Sequence, residues 1–329
     1  MTNIEKIKLL ELFGGIGAIR KSFINLKIPH EVIDYVEIDK ACVKSYNALY
    51  GESFSPNSVT DYHAPNIKID ILMHGSPCQD FSRVGEKRGG KKGSGTRSSL
   101  LFETIRIIEE MNEKPTCVIW ENVKGVLDRN MRNSFFHYLS EMKRLGYESK
   151  YEILNAYDFG IPQKRERIFV ISYLGRNLFD FGSLQKTEAK HLSEFLETEV
   201  GELYEVKQES MLKMLNPRLN YKPNFRGRLK VITDFAYTVS TKQVRVPNAG
   251  IIDIGSGKYR YLTERECFRL MGFSDSDFDT VSSLFPRRKN CTSSILYKQA
   301  GNSIVVNVLE EILKEILIKS RENRYAKTA

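Results

Sequence analysis

The first half of this chain alternates short apolar runs with amphipathic stretches, and that alternation leaves room for few folds. Segments 7–13 (IKLLELF), 31–38 (EVIDYVEI), 67–73 and 116–120 read as buried strands bounded by turn residues. Between them, 18–26, 40–50, 99–111 and 131–145 read as helices. The third sets Leu101, Ile105 and Ile108 on one face, and Gly146 stops the fourth. Segments 151–156 and 167–173 lie close enough to pair antiparallel. The pattern predicts an α/β fold with a doubly wound, mostly parallel sheet. In such sheets ligands bind outside the carboxyl ends of the strands. From 176 to 261 the texture turns polar and irregular, with short candidate strands at 229–231 and 237–240, which predicts a second, smaller, irregular β-rich lobe. Apolar residues then return with a 3.6-residue period from Ile304 through Val308, Ile312 and Leu313 to Leu317, so a C-terminal helix docks on a core. The expected division is a core of residues 1–180 completed by a helix at 299–329, with a lobe and hinge at 181–298.

Composition narrows the function classes. The 329 residues are 41% hydrophobic and 28% charged, a globular balance that excludes disorder. No apolar run approaches the roughly 20 residues of a membrane helix, and the charged start lacks a signal-peptide core. Five cysteines, scattered at 42, 78, 117, 267 and 291, argue against a disulfide framework or a paired-cysteine zinc site. They fit a reducing cytoplasm and give no expectation of a metal. The net charge of +9 suggests an anionic partner without naming it.

The candidate residues fall where strands end. Phe13-Gly14-Gly15-Ile16-Gly17 joins the first strand to the first helix, where glycines allow a tight turn and close approach of a ligand. Glu37 ends the second strand and can accept hydrogen bonds from ribose hydroxyls; a plain βα turn with a surface acid is the alternative. The pattern is neither G-x-G-x-x-G nor a Walker loop. Gly75-Ser76-Pro77-Cys78-Gln79 follows the third strand. A lone cysteine is most often a small buried hydrophobe, but the Gly/Pro turn presents this thiol to the cleft. Glu121, in Glu121-Asn122-Val123 at the end of the fourth strand, would lie near that turn, where partial desolvation raises a carboxyl's pKa. Gln163-Lys164-Arg165-Glu166-Arg167 opens the next strand. Residues 82–99 carry Arg83, Lys87, Arg88 and Arg97 among five glycines, a loop suited to closing over a polyanion or to being a plain surface loop.

The ordered set FGGIG, EIDK, GSPCQ, ENV, QKRER, a variable region, RECFRLMGF and QAGNSIVVNVL resembles the DNA (cytosine-5)-methyltransferases, in their compact bacterial and phage form. The resemblance spans almost the whole chain except the variable lobe. It implies a Rossmann-like core that binds S-adenosylmethionine and releases S-adenosylhomocysteine. Phe13, Gly14, Gly15 and Gly17 would line that site with Ile38, Pro77, Leu100, Asn302 and Ser303, and Glu37 would hold the ribose. Cys78 would be the nucleophile. Glu121 would hold N3 of the target cytosine, and Arg165 and Arg167 would contact the base or its phosphate and orient Glu121. Thr238, in a Thr-Val pair where the family has Thr-Leu, would mark the recognition lobe. One departure stands out: the acid that usually meets the adenine amino group is Ser58 here, with Asp61 a substitute only if the loop shifts.

The implied reaction is sequence-specific methylation of a flipped-out cytosine in double-stranded DNA. The implied enzyme is a monomer that makes no stable complex with any cognate restriction endonuclease. Among residues offered to DNA are Arg83, Lys87, Arg88, Arg97, Gln163, Arg228, Thr238, Gln243 and Arg245, since Arg and Gln suit bidentate base contacts. RNA methylation, a catalytically dead DNA-binding relative and a Rossmann-type dehydrogenase remain as alternatives.

Overall fold

A computed structural model describes residues 6–76, 100–215, 229–244 and 247–328, with side chains of the last helix described to residue 319. Strands β1 (Ile7–Leu12), β2 (His30–Val36), β3 (Ile71–His74), β4 (Cys117–Val123) and β5 (Tyr147–Asn155) alternate with helices α1 (Ala18–Asn25), α2 (Lys40–Tyr50), α3 (Leu100–Glu110) and α4 (Arg132–Arg144). The two-residue strand β6 (Gln163–Lys164) precedes β7 (Glu166–Leu174). Six strands form one sheet in the order β2-β1-β3-β4-β7-β5. All of its strands are parallel except β7, which is antiparallel to both β4 and β5. The segment between Asn155 and Glu166, partners in the ladder, is too short for a helical crossover, so the chain must return antiparallel. The mostly parallel, doubly wound sheet and its antiparallel pair are as the sequence predicts.

Alternate strand residues feed two layers, which explains the near-continuous apolar runs. Leu9, Ile71, Met73, Ile119, Phe169 and Ile171 pack with α1 and the C-terminal helices. Leu10, Leu72, Val118, Trp120, Ile168 and Val170 pack with α3 and α4 on the other face. The third strand is shorter than expected, starting at Ile71 where its register with Leu9 begins.

The lobe contains α5 (Glu209–Leu212), β8 (Ala236–Tyr237) and a hairpin of β9 (Ile251–Gly255) with β10 (Lys258–Tyr261). Its small core is Val206, Met211, Leu229, Ile251 and Tyr261. Of the expected strand at 229–231, only a bridge from Val231 to Ile251 forms, and the one at 237–240 reduces to β8, which pairs with β6. Then come α6 (Glu264–Arg269), α7 (Asp275–Ser283), α8 (Ser294–Asn302) and α9 (Val306–Thr328). Side chains of α6 to α8, including Phe268, Phe278, Leu296 and Ala300, belong to the same core cluster as β1 and α1.

The single helix expected at 299–329 is broken. Ser303 is extended, its carbonyl is taken by Arg165, and the Val306 amide donates to the Met271 carbonyl, so neither serves a continuous helix. The remainder, α9, packs on α1 as the apolar period requires. Leu313→Ala is expected to cost about 2–5 kcal/mol in chemical denaturation, because Leu313 is fully buried in that seam. Ile318→Ala, 51% exposed on the same helix, is expected to change stability by less than about 0.5 kcal/mol.

Candidate functional site

The glycine loop leaves β1 with three left-handed residues: Phe13 (φ 56°), Gly15 (φ 57°) and Gly17 (φ 78°), the last being the N-cap of α1. The loop is pinned from β2, since the Gly14 amide donates to the Val36 carbonyl and the Gly15 amide to Glu37 Oε2 at 3.1 Å. The other Glu37 oxygen accepts the Asp39 amide at 2.8 Å. Burial raises the Glu37 carboxyl above its ordinary pKa, and those amides pull it back. Ile38 is 70% exposed beside it, an apolar platform next to an acid.

A cavity at the carboxyl ends of β1, β3 and β4 joins this loop to the C-terminal helices. Phe13, Gly14 and Gly15 line it with Gly75, Glu121, Asn302 and Ser303, and Glu11, Cys42 and Gln299 complete the wall. Gly17, Glu37 and Ile38 lie just outside the lining, and Leu100 begins α3 on the other layer. Glu11 escaped the sequence reading. Its signal was a lone acid inside the apolar run IKLLELF. Burial pushes its carboxyl up to about 7 against the Tyr46 hydroxyl, which donates to Oε1 at 2.5 Å. Glu11 Oε2 and Gln299 Oε1 are buried with no partner.

Glu121 reaches the cavity from β4. It is 9% exposed and its pKa is raised by burial, with Arg167 and then Arg165 opposing the shift. Arg167 Nε sits 3.2 Å from Glu121 Oε1, an ion pair set by the antiparallel register that brings Arg167 opposite Val123. Strand alternation sends the flanking side chains the other way. Trp120 Nε1 donates to Ser76 Oγ at 3.2 Å and Asn122 Nδ2 to the Ser76 carbonyl at 3.0 Å, so β4 also fixes the residue at which the described part of the β3 turn ends.

Arg165 does not pair with Glu121. It is 3% exposed and donates to three carbonyls: Val239 through Nη1 at 2.9 Å, and Gly301 and Ser303 through Nη2 at 3.0 and 2.8 Å. Burial and the neighbouring Arg167 lower its pKa to about 9. These bonds tie the lobe segment at Val239 to the backbone at Gly301 and Ser303. Gln163 and Gln243, offered to DNA by the sequence, are also interior. Gln163 donates to the Leu270 carbonyl and accepts the Val239 amide, and Gln243 donates to the Ser240 carbonyl. Amides that match free backbone groups are held inside, where leaving those groups unpaired would be costly. Thr238 is half-buried and donates to the Lys164 carbonyl.

Next to it, exposed Lys164 lies 3.8 Å from the Phe235 ring centroid and exposed Lys230 4.7 Å from that of Tyr237. Ser58 pairs with Thr60, and Asp61 accepts from Thr60 on the exposed side of the same turn. The neighbouring Asn57 amide is tied to the Glu37 carbonyl. Pro77, Cys78, Arg83, Lys87, Arg88, Arg97, Arg228 and Arg245 lie outside the described residues. Among the described residues no cluster of metal-ligating side chains occurs, and no helix is long and apolar enough to cross a membrane.

The family model for C-5 cytosine-specific DNA methylase matches residues 7–318. The Type II methyltransferase M2.ScrFI of Lactococcus lactis subsp. cremoris is 31% identical across 94% of this chain and 99% of its own length. The Type II methyltransferase M.DsaV of Dactylococcopsis salina is 30% identical across 95% of this chain and 86% of its own. Among solved structures, the Dnmt2 methyltransferase of S. pombe superposes with a TM-score of 0.74 at 20% identity, covering 96% of this chain and 99% of that one.

Arg165→Met is expected to lower unfolding free energy by about 3 kcal/mol in chemical denaturation, since three buried carbonyls lose a charged donor. An unchanged denaturation midpoint would contradict its place as a clamp.

Proposed function

Since the chain belongs to the C-5 cytosine-specific DNA methylase family and is a DNA (cytosine-5) methyltransferase, we propose that it methylates a cytosine flipped out of duplex DNA, with S-adenosylmethionine bound in the glycine-loop cavity. The observation that carries this reading is that the buried Glu121–Arg167 pair and the glycine loop open into one cavity.

The cavity suits that cofactor. Its unpartnered Glu11 Oε2 and Gln299 Oε1 are acceptors for a cationic ammonium, and Glu37 beside the loop is an acceptor for ribose hydroxyls. Ile38 offers its exposed face to a flat base, and Asn302 and Ser303 close the far wall. When bound, the cofactor supplies an electrophilic methyl group on a sulfonium.

The chain's residues do the rest. Ring carbon 5 of cytosine is a poor nucleophile until a thiolate adds to carbon 6. Cys78 is the thiol in the matching motif, and covalent catalysis of this kind needs it deprotonated. Glu121, whose carboxyl burial holds above its ordinary pKa, protonates or hydrogen-bonds N3, so the ring's electron density shifts to carbon 5 as the S–C bond forms. Arg167 keeps the carboxyl aimed and limits how far its pKa climbs. Carbon 5, made nucleophilic by Cys78 and Glu121, would take the methyl group from the bound donor, which would leave as the neutral thioether. Loss of the carbon 5 proton to a base and expulsion of the Cys78 thiolate restore the ring. The base must leave the duplex first, at a cost of a few kcal/mol. The basic loop at 82–99 and the cations beside Thr238, Lys164 and Lys230, are suited to offset that cost on the phosphates.

With a radiolabelled methyl donor, label is expected in duplex DNA and not in tRNA; incorporation confined to tRNA would overturn the DNA assignment. Glu121→Gln is expected to lower kcat about 10²-fold or more with intact cofactor binding.

A second test uses pH. The free protein keeps a proton on Glu11 up to about 7. A cation against Oε2 favours the carboxylate, so binding releases that proton and affinity increases with pH. From pH 6 to 7.5 the cofactor Kd is expected to tighten up to about eightfold, and Glu11→Gln to flatten the profile. A profile that weakens with pH would remove Glu11 from the ammonium site.

A further inference from the structure

We propose that Tyr35 and Tyr50, braced by Tyr46, are positioning residues that set affinity for the methyl donor by fixing the peptide orientations of the glycine loop. The inference rests on the cofactor site described above.

The three tyrosines come from β2 and α2, and the hydroxyls of Tyr35 and Tyr50 converge on one loop. Tyr35 donates to the Gly15 carbonyl at 2.6 Å. Tyr50 donates to the Gly17 carbonyl at 2.8 Å and also reaches that of Ile16 at 3.1 Å. The Tyr46 hydroxyl is spent on Glu11, and its ring is the spacer between the other two. It stacks on Tyr35 at 3.8 Å between centroids and meets Tyr50 edge-on at 4.7 Å. Arg20 locks the outer side, with its guanidinium 4.8 Å from the Tyr50 centroid and its amines on Tyr46 and Glu52.

The rings touch the loop backbone itself. A Cβ on Gly14 would fall 2.6 Å from the Tyr35 ring, and one on Gly17 2.6 Å from the Tyr50 ring. The loop therefore has a glycine at each place where a ring presses. Because a trans peptide points its carbonyl and its amide in opposite directions, turning the Gly15 and Gly17 carbonyls toward the tyrosines turns the Ile16 and Ala18 amides away from them. Ile16 and Ala18 are both lining residues of the cavity. Loop N–H groups at a helix N-terminus suit a carboxylate, and the methyl donor carries one. Removing a hydroxyl frees a loop carbonyl to swing and blurs the donor array, while the ring still fills its space.

The test measures S-adenosylhomocysteine binding by calorimetry on the full chain, with thermal unfolding alongside. Tyr35→Phe and Tyr50→Phe are each expected to raise Kd about five- to tenfold, and KM for the methyl donor by a similar factor, with kcat falling less than twofold. Tyr297→Phe is the control. It loses a buried hydroxyl bond to the Leu262 carbonyl and makes none to the loop, and is expected to change Kd by less than twofold. Unchanged Kd in both loop variants, or an equal rise in the control, would overturn the positioning role while leaving the cofactor site standing. Failure of the unaltered protein to bind would overturn the cofactor site and this inference with it.

Discussion

Much of the molecule is tied together through one buried cation. Arg165 sits at the junction of β7, the lobe segment at Val239 and the turn between α8 and α9, and its three carbonyl bonds hold them in one arrangement. Gly301 marks how tight that junction is, since a Cβ there would lie 2.5 Å from the Ser240 carbonyl carbon and the Thr241 amide nitrogen. The lobe segment at Ser240 and Thr241 thus rests directly on Gly301, next to Asn302 and Ser303 of the cavity wall. The same bonds end α8 and force the break before α9. Burial of the guanidinium is costly on its own, and the carbonyls offset it only in this geometry.

Electrostatic opposition then shapes the reacting end. Burial pushes Glu121 toward its neutral form and Arg167 pulls it back. The alternation of β4 separates two tasks along three residues. Glu121 faces the cavity, while Trp120 and Asn122 anchor Ser76 from the other side. Glu11 follows a related logic deeper in the wall, where a carboxyl raised by burial waits for a cation.

The sequence made the main sheet legible because buried parallel strands are continuous apolar runs of 4–7 residues, a signal few other structures produce. Glu121 and the glycine loop were legible because strand ends in this topology converge. What it hid depended on contacts between distant positions. Gln163 and Gln243 look like base readers in a polar stretch, yet each pairs with backbone groups visible only after folding. Arg165 and Arg167 are two residues apart, yet Arg165, in the break between β6 and β7, is spent on carbonyls, while Arg167, inside β7, reaches Glu121. Tyr35 and Tyr50 carry no site signal in the sequence, because only folding of β2 and α2 brings their hydroxyls to the loop carbonyls of Gly15 and Gly17. The helix break at Ser303 carries no proline signal, and the groups that hold it open are distant in sequence, the Arg165 guanidinium on the Ser303 carbonyl and the Met271 carbonyl on the Val306 amide.

The proposed reaction turns on covalent attack by Cys78 on a cytosine held by Glu121. The most direct measurement is peptide mapping by mass spectrometry after incubating the protein with S-adenosylmethionine and a duplex carrying 5-fluorocytosine at the target position. Fluorine blocks the final proton loss, so the expected product is a methylated fluorocytosine adduct on the peptide containing Cys78, absent in Cys78→Ser. An adduct on Cys42, Cys117, Cys267 or Cys291, or methylated DNA formed by the Cys78→Ser protein, would contradict it.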